Sequence, residues 1–270
     1  MKDKDRELKP CPFCGGKAED DYGWIFCSKC GVGYDYLDRG KGITDWNKRS
    51  YKPLGKEELL EIIKKEVFRQ FYRRRYYLTP EEIFFSKLDL KDKVVYDIGA
   101  FIGLKTILFA KKAKQVIAFE PNYGTFAIME ENITLNNLDN VRTLSCGIGD
   151  KTDIKLLSFN PLFPGCGSMK IETKGKVVKT LTEVYSLDDC IKKFNLSIPD
   201  FIKIDIEGME DEALEGMTKT MKKYKPALYI EVHGINKEDK DKHIMSIGRT
   251  LLTYNYTVDL VDAEGHIYCV

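Results

Sequence analysis

Beyond Leu78 the chain alternates short apolar runs with stretches in which apolar residues recur every three to four positions, the pattern of strands separated by helices. Val94 to Ile98 reads as a strand that runs through "DIGAFIG" into an amphipathic stretch from Leu104 to Lys112. Val116 to Phe119, Val141 to Ser145, Phe201 to Ile206 and Ala227 to Val232 read as further strands, with helices over Pro121 to Asn137 and Asp211 to Met217. Tyr254 to Leu260 and Ile267 to Val270 add later strand signals. Thr79-Pro80-Glu81-Glu82 opens the region as a helix start, with an N-cap threonine, proline at the first helical position and the glutamate of a capping box. The alternation predicts an α/β domain over residues 79–270 with about seven, mostly parallel strands.

Upstream the pattern changes. From Lys56 to Tyr77, Leu59, Ile63, Val67 and Phe71 recur at four-residue spacing, which predicts a connecting helix with one buried stripe within residues 51–78. Its second half carries Lys64, Lys65, Arg69, Arg73, Arg74 and Arg75 between Phe68, Tyr72, Tyr76 and Tyr77. Such a composition either tracks a nucleic-acid backbone and stacks bases or is a solvated face with arginines placed well near a helix C-terminus. Residues 1–50 hold two Cys-x-x-Cys pairs, Cys11/Cys14 and Cys27/Cys30, each followed by glycine. Two such knuckles supply four thiolates for a closed, structural Zn²⁺ site, and the apolar segment between them suits a hairpin.

The formal net charge is +1, but it is unevenly spread. Through Leu78 there are 18 Lys+Arg against 13 Asp+Glu, and beyond it 25 against 29. No apolar run approaches the roughly 18 residues of a membrane span, and "MKDKDRELK" lacks the apolar region of a signal peptide. Cys146, Cys166, Cys190 and Cys269 show no disulfide framework spacing. A cytoplasmic protein with no membrane partner is expected.

The glycine loop after Val94–Ile98 is a nucleotide-cofactor loop, and its charge bears on which cofactor. A pyrophosphate would be repelled by Asp97, which instead suits a ligand bearing an ammonium and a sulfonium, as S-adenosylmethionine does. Glu120 ends the next strand, 23 positions after Asp97, where a carboxylate can accept both ribose hydroxyls. In an open α/β sheet ligands bind outside the carboxyl ends of the strands, so Asp97, Glu120, Cys146, Asp205, Glu231 and His233 are expected to converge there. His233 is the candidate base, its ordinary pKa of about 6.5 letting it accept a proton near neutrality. Asp205 would orient it, or would join Glu207 in holding a divalent ion. Glu207 and Glu210 equally suit a helix N-terminus. Gly165-Cys166-Gly167-Ser168 reads as an uncharged loop, either overlooking the site or a plain surface turn.

Two resemblances add to this. Leu8 to Arg49, with both cysteine pairs and Trp46, Asn47 and Arg49, resembles the restriction-alleviation (Lar-type) zinc ribbons, which implies a docking or recognition module. "DIGAFIG" from Asp97, "FEPN" from Phe119, "KIDIEGME" from Lys203 and "EVHG" from Glu231 resemble the FkbM-type branch of class I, Rossmann-like methyltransferases. That resemblance implies a cofactor site of Asp97, Gly99, Phe101, Gly103, Glu120, Pro121, Cys146 and Asp205. It also implies that Asp205, Glu207, Glu231 and His233 face the acceptor. Phe101 departs from it, standing where the family often has asparagine. An O-methyltransferase for a hydroxyl of a small molecule or glycan is the leading expectation. The alternatives are a nucleic-acid methyltransferase using ribbon and basic helix, and a non-catalytic zinc adaptor.

Overall fold

The computed structural model describes residues 17–21, 24–27, 33–35, 80–160, 163–170, 177–262 and 265–270. It divides into two compact units, one of which contains residues 1–73 and the other most of the remainder. In the first, β1 (Ala18–Asp21), β2 (Trp24–Cys27) and β3 (Gly33–Asp35) form an antiparallel sheet in that order. The β1–β2 hairpin is the one expected between the cysteine pairs, with Ala18 opposite Cys27. Cys11, Cys14, Cys30 and the basic helix from Lys64 to Arg75 lie outside the described residues, while Cys27 ends β2.

The larger unit is built on β4 (Val94–Ile98), β5 (Gln115–Phe119), β6 (Val141–Leu144), β11 (Phe201–Ile204), β12 (Ala227–Glu231), β13 (Val258–Leu260) and β14 (His266–Cys269). Their order is β13-β14-β12-β11-β4-β5-β6. The five central strands are parallel and β14 is antiparallel to both neighbours. The chain winds from β4 outward to β6, then crosses back to β11 on the other side of β4. That reversal opens a crevice at the carboxyl ends of β4 and β11.

Both faces of the sheet are covered, which is why its central strands read as continuous apolar runs. Val95, Val116, Phe201 and Tyr229 pack with Phe85 of α1 (Pro80–Lys87) and Phe109 of α2 (Leu104–Ala110). On the same side Ala118 packs with Met129 and Ile133 of α3 (Tyr123–Leu135). Tyr96, Ile98, Ile117, Phe119, Ile202, Ile204, Leu228 and Ile230 point the other way, as the two-residue period of a strand requires. They meet α4 (Leu187–Lys193), α5 (Glu210–Glu215), α6 (Thr218–Tyr224) and α7 (Lys237–Thr253) through Leu187, Leu214, Met221 and Leu251.

A second sheet, of order β7-β10-β8-β9, was not foreseen from the pattern. It comprises β7 (Gly147–Gly149), β8 (Asp153–Asn160), β9 (Phe163–Ser168) and β10 (Val178–Ser186). The stretch expected to be a loop around Gly165 is therefore part of strand β9. Among the described residues no helix is long and apolar enough to cross a membrane.

Candidate active site

The crevice is shaped first by backbone. Gly99 and Ala100 both donate to the Phe119 carbonyl at 3.0 Å, which folds the loop after β4 over the end of β5. Gly99 has φ +79°, and a Cβ there would stand 1.7 Å from the Asp205 carbonyl oxygen, so glycine is what lets the ends of β4 and β11 approach. Phe101 and Glu207 also lie in the left-handed region, at φ 54° each, one in the loop after β4 and one in the loop after β11. Non-glycine residues there carry strain of order 1 kcal/mol, which the surroundings must hold. Ser168 of β9 does so at Glu207, its hydroxyl donating to the Glu207 carbonyl at 2.7 Å.

The acids of β4 and β5 are turned inward. Asp97 is fully buried; Oδ2 accepts from the Thr106 hydroxyl at 2.6 Å, and Oδ1 lies 3.4 Å from the Lys203 ammonium without a hydrogen-bond partner. Lys203, opposite Asp97 in the β4–β11 register, also donates to the Gly99 carbonyl at 3.0 Å and pairs with Asp205 Oδ2 at 3.1 Å. Burial disfavours its charge, but Asp205 and Asp97 override this and hold the ammonium firmly protonated. The negative charge expected at the loop is thus partly compensated from within the core. Glu120 accepts from the backbone amides of Phe101 and Asn122, both at 2.8 Å, and from the Thr125 hydroxyl at 2.9 Å. Burial pushes its carboxyl up to about 7 against those donors.

The acids of β11, β12 and α5 gather instead around one imidazole. His233 Nδ1 lies 2.9 Å from Oε1 of the buried Glu210. Its Nε2 faces Glu231 Oε1 at 3.6 Å and Asp205 Oδ1 and Glu207 Oε2 at 3.8 Å each. Burial works against its charge, yet the Glu210 hydrogen bond and the surrounding carboxylates push it up to about 9. In this environment the imidazolium is favoured, and a base role for His233 would require the ring to lose that proton first. Burial raises Glu207 to about 7. Beside β12, the His266 imidazole, with Nε2 3.6 Å from Glu231 Oε2, holds the Glu231 carboxyl down at about 2.

Pro121 follows Glu120, and its carbonyl accepts from the Thr182 hydroxyl at 3.4 Å. Gly103 caps α2 at φ +82°. Cys146 is buried in the core with Cys190, whose contact and the burial raise its thiol. Lys203, Glu210 as orienter and His266 were missed as site residues. The alternation "KIDIE" put Lys203 on the face of Asp205, but His266 reaches Glu231 through an antiparallel pairing that local pattern does not reveal.

A doubly wound sheet with a glycine loop at its switch point, and acids at the ends of β4 and β5, matches Rossmann-like class I methyltransferases. Residues 97–258 match the methyltransferase FkbM domain, and the chain belongs to that family. It is 27% identical over 146 residues to "Methyltransferase 1" of Beauveria bassiana, covering 47% of this chain and 59% of that protein. To the hexuronic acid methyltransferase AglP of Haloferax volcanii it is 31% identical over 155 residues, covering 56% and 61%. The chain thus spans about three fifths of the length of these curated relatives. The crystal structure of methyltransferase FkbM from Methylobacillus flagellatus KT shares the fold at a TM-score of 0.50 and 15% identity, covering 87% of this chain and 66% of that one.

The family implies S-adenosylmethionine as methyl donor, and the donor set fits it. Asp97 Oδ1 is a buried acceptor without a hydrogen-bond partner, and Glu120 has accepted three hydrogen bonds of the roughly four a carboxylate can take.

Proposed function

We propose that the protein is an S-adenosylmethionine-dependent O-methyltransferase acting on a hydroxyl of a small molecule or glycan. Asp97, Gly99, Phe101, Gly103, Glu120 and Pro121 would hold the donor, with Asp205 at its boundary toward the acceptor. When bound, the donor supplies a methyl group on a cationic sulfur. Asp205, Glu207, Glu231 and His233 face the acceptor, and Glu207, poised beside His233 Nε2, is the group we assign to take the hydroxyl proton. The enzyme's main contribution is then positioning, worth roughly 7–11 kcal/mol when two reactants are held in attack geometry.

One observation carries this reading: a glycine loop closed by inward acids and a half-exposed acid cluster meet at one end of adjacent central strands. A glycan acceptor draws support from the relative named as a hexuronic acid methyltransferase. The remaining assignments are a zinc ribbon over residues 1–50 with Cys11, Cys14, Cys27 and Cys30 as ligands, a basic connector over 51–78, and the methyltransferase domain over 79–270. The ribbon is assigned to substrate or partner recognition.

The test is to incubate the full chain with S-adenosylmethionine and panels of glycosides, uronic acids or RNA, and to measure adenosylhomocysteine formed. Turnover with a glycoside or uronic acid at one hydroxyl is expected. Turnover on RNA alone, with binding that falls steeply with salt, would instead move the acceptor to nucleic acid.

A further inference from the structure

Around His233 Nε2 the donor atoms are arranged in a way the acid–base reading does not require. Each of three residues has one polar atom facing a hydrogen-bonding or oppositely charged neighbour and the other turned to a common point. Asp205 gives Oδ2 to Lys203 at 3.1 Å and turns Oδ1 toward His233. Glu231 sets Oε2 against His266 at 3.6 Å and turns Oε1 the same way. His233 gives Nδ1 to Glu210 at 2.9 Å, which leaves Nε2 facing both carboxylates. The three converging atoms lie within 4.8 Å of one another.

Neither carboxylate is within hydrogen-bond reach of Nε2, at 3.6 and 3.8 Å. Those separations are instead close to polyhedron edges. Metal bonds of about 2.0–2.2 Å to nitrogen and oxygen place neighbouring donors about 2.8–3.6 Å apart, so a shift of a few tenths of an ångström closes the set on an ion. Glu210 is the independent sign. It is 1% exposed, it orients the ring from the far side, and its Oε2 has no hydrogen-bond partner. A carboxylate behind a histidine is how metal-binding imidazoles are held and made more basic.

We propose that Asp205, Glu231 and His233 bind a divalent cation whose open positions take an oxygen of the substrate. Carboxylates suit Mg²⁺ and Mn²⁺ while imidazole suits Zn²⁺ and Fe²⁺, so the mixed set fits an ion accepting both, of which Mn²⁺ is the probe. A cation here would hold the acceptor oxygen beside the donor crevice and favour loss of its proton. It follows that the acceptor class is one with adjacent oxygens able to chelate, a diol or a hydroxy acid. That acceptor role rests on the methyltransferase reading, but cation binding does not.

The test is paramagnetic resonance and calorimetry of the chelator-treated full chain titrated with Mn²⁺, beside a separate titration with adenosylhomocysteine. One Mn²⁺ per chain is expected, weakened at least tenfold by Glu231→Gln or Asp205→Asn and roughly 10- to 100-fold by Glu210→Gln, as loss of a ligand's orienting partner does. Glu238→Gln, on the exposed face of α7, should leave it unchanged. Circular dichroism identifies any variant that fails to fold, and Glu231→Gln, at a half-exposed position, keeps the test open if Asp205→Asn is lost. Adenosylhomocysteine binding without saturable Mn²⁺ binding, or Mn²⁺ binding indifferent to both ligand variants, overturns the cation site. Mn²⁺ binding without adenosylhomocysteine binding supports the site and removes the methyltransferase reading.

Discussion

The two sides of the crevice treat their carboxylates differently. On the β4–β5 side Asp97 and Glu120 are buried, and hydroxyls, amides and the Lys203 ammonium meet most of their acceptor positions. On the β11–β12 side Asp205, Glu207 and Glu231 stay 27–30% exposed around one imidazole that none of them reaches at hydrogen-bond distance. The first arrangement fixes a loop in place before any ligand arrives. The second leaves a concentration of negative charge that a cation or a reacting hydroxyl can use. On the proposed reading the preformed side would hold the methyl donor and the reactive side the acceptor.

Breaking the preformed side has the largest expected effect. Lys203→Met leaves the Asp97 carboxylate buried without its cation, which costs about 3–5 kcal/mol. Urea denaturation reads this directly, and a loss under about 1 kcal/mol would contradict a stabilising role for the Lys203–Asp97 pairing. Glu120→Ala orphans two backbone amides and should cost about 3 kcal/mol. Glu120 also sharpens the contrast through pH. Its folded pKa of about 7 lies above its ordinary value of 4.5, so its contribution is fully present below about 4.5 and is lost as pH rises through 7. Glu120→Gln should flatten stability between these limits, and an unchanged pH slope would contradict the burial argument.

Smaller effects separate strained from relaxed turns. Away from the crevice the left-handed non-glycine residues among the described ones are Asp92, Asn137, Asn195, Asn255 and the helix-ending Lys225, mostly types that tolerate that conformation. Beside it they are Phe101 and Glu207. Phe101→Asn should raise stability by about 1 kcal/mol, read as an upward shift in thermal midpoint, while Asn137→Ala should lower it by about as much. A destabilised Phe101→Asn would show that ring packing outweighs backbone strain.

Much of the donor side was legible in the chain, because strand, acid, glycines and helix are contiguous between Val94 and Leu104 and a local period reveals them. The convergence of Asp205, Glu231 and His233 beyond β11 and β12 was legible too, but their state was not. The protonation of His233 depends on Glu210, 23 residues away, and Asp97 meets its cation in Lys203, 106 residues away. His266 arrives only through the β12–β14 pairing. The second sheet escaped notice because β8 buries little beyond Leu157 and Phe159, so its alternation is weak.

The most direct test of the donor crevice is calorimetric titration of the intact chain with adenosylhomocysteine. The account predicts saturable binding near one per chain, weakened at least tenfold by Glu120→Gln in protein shown to be folded. Absence of heat with the intact protein, or equal affinity in the folded variant, would contradict it.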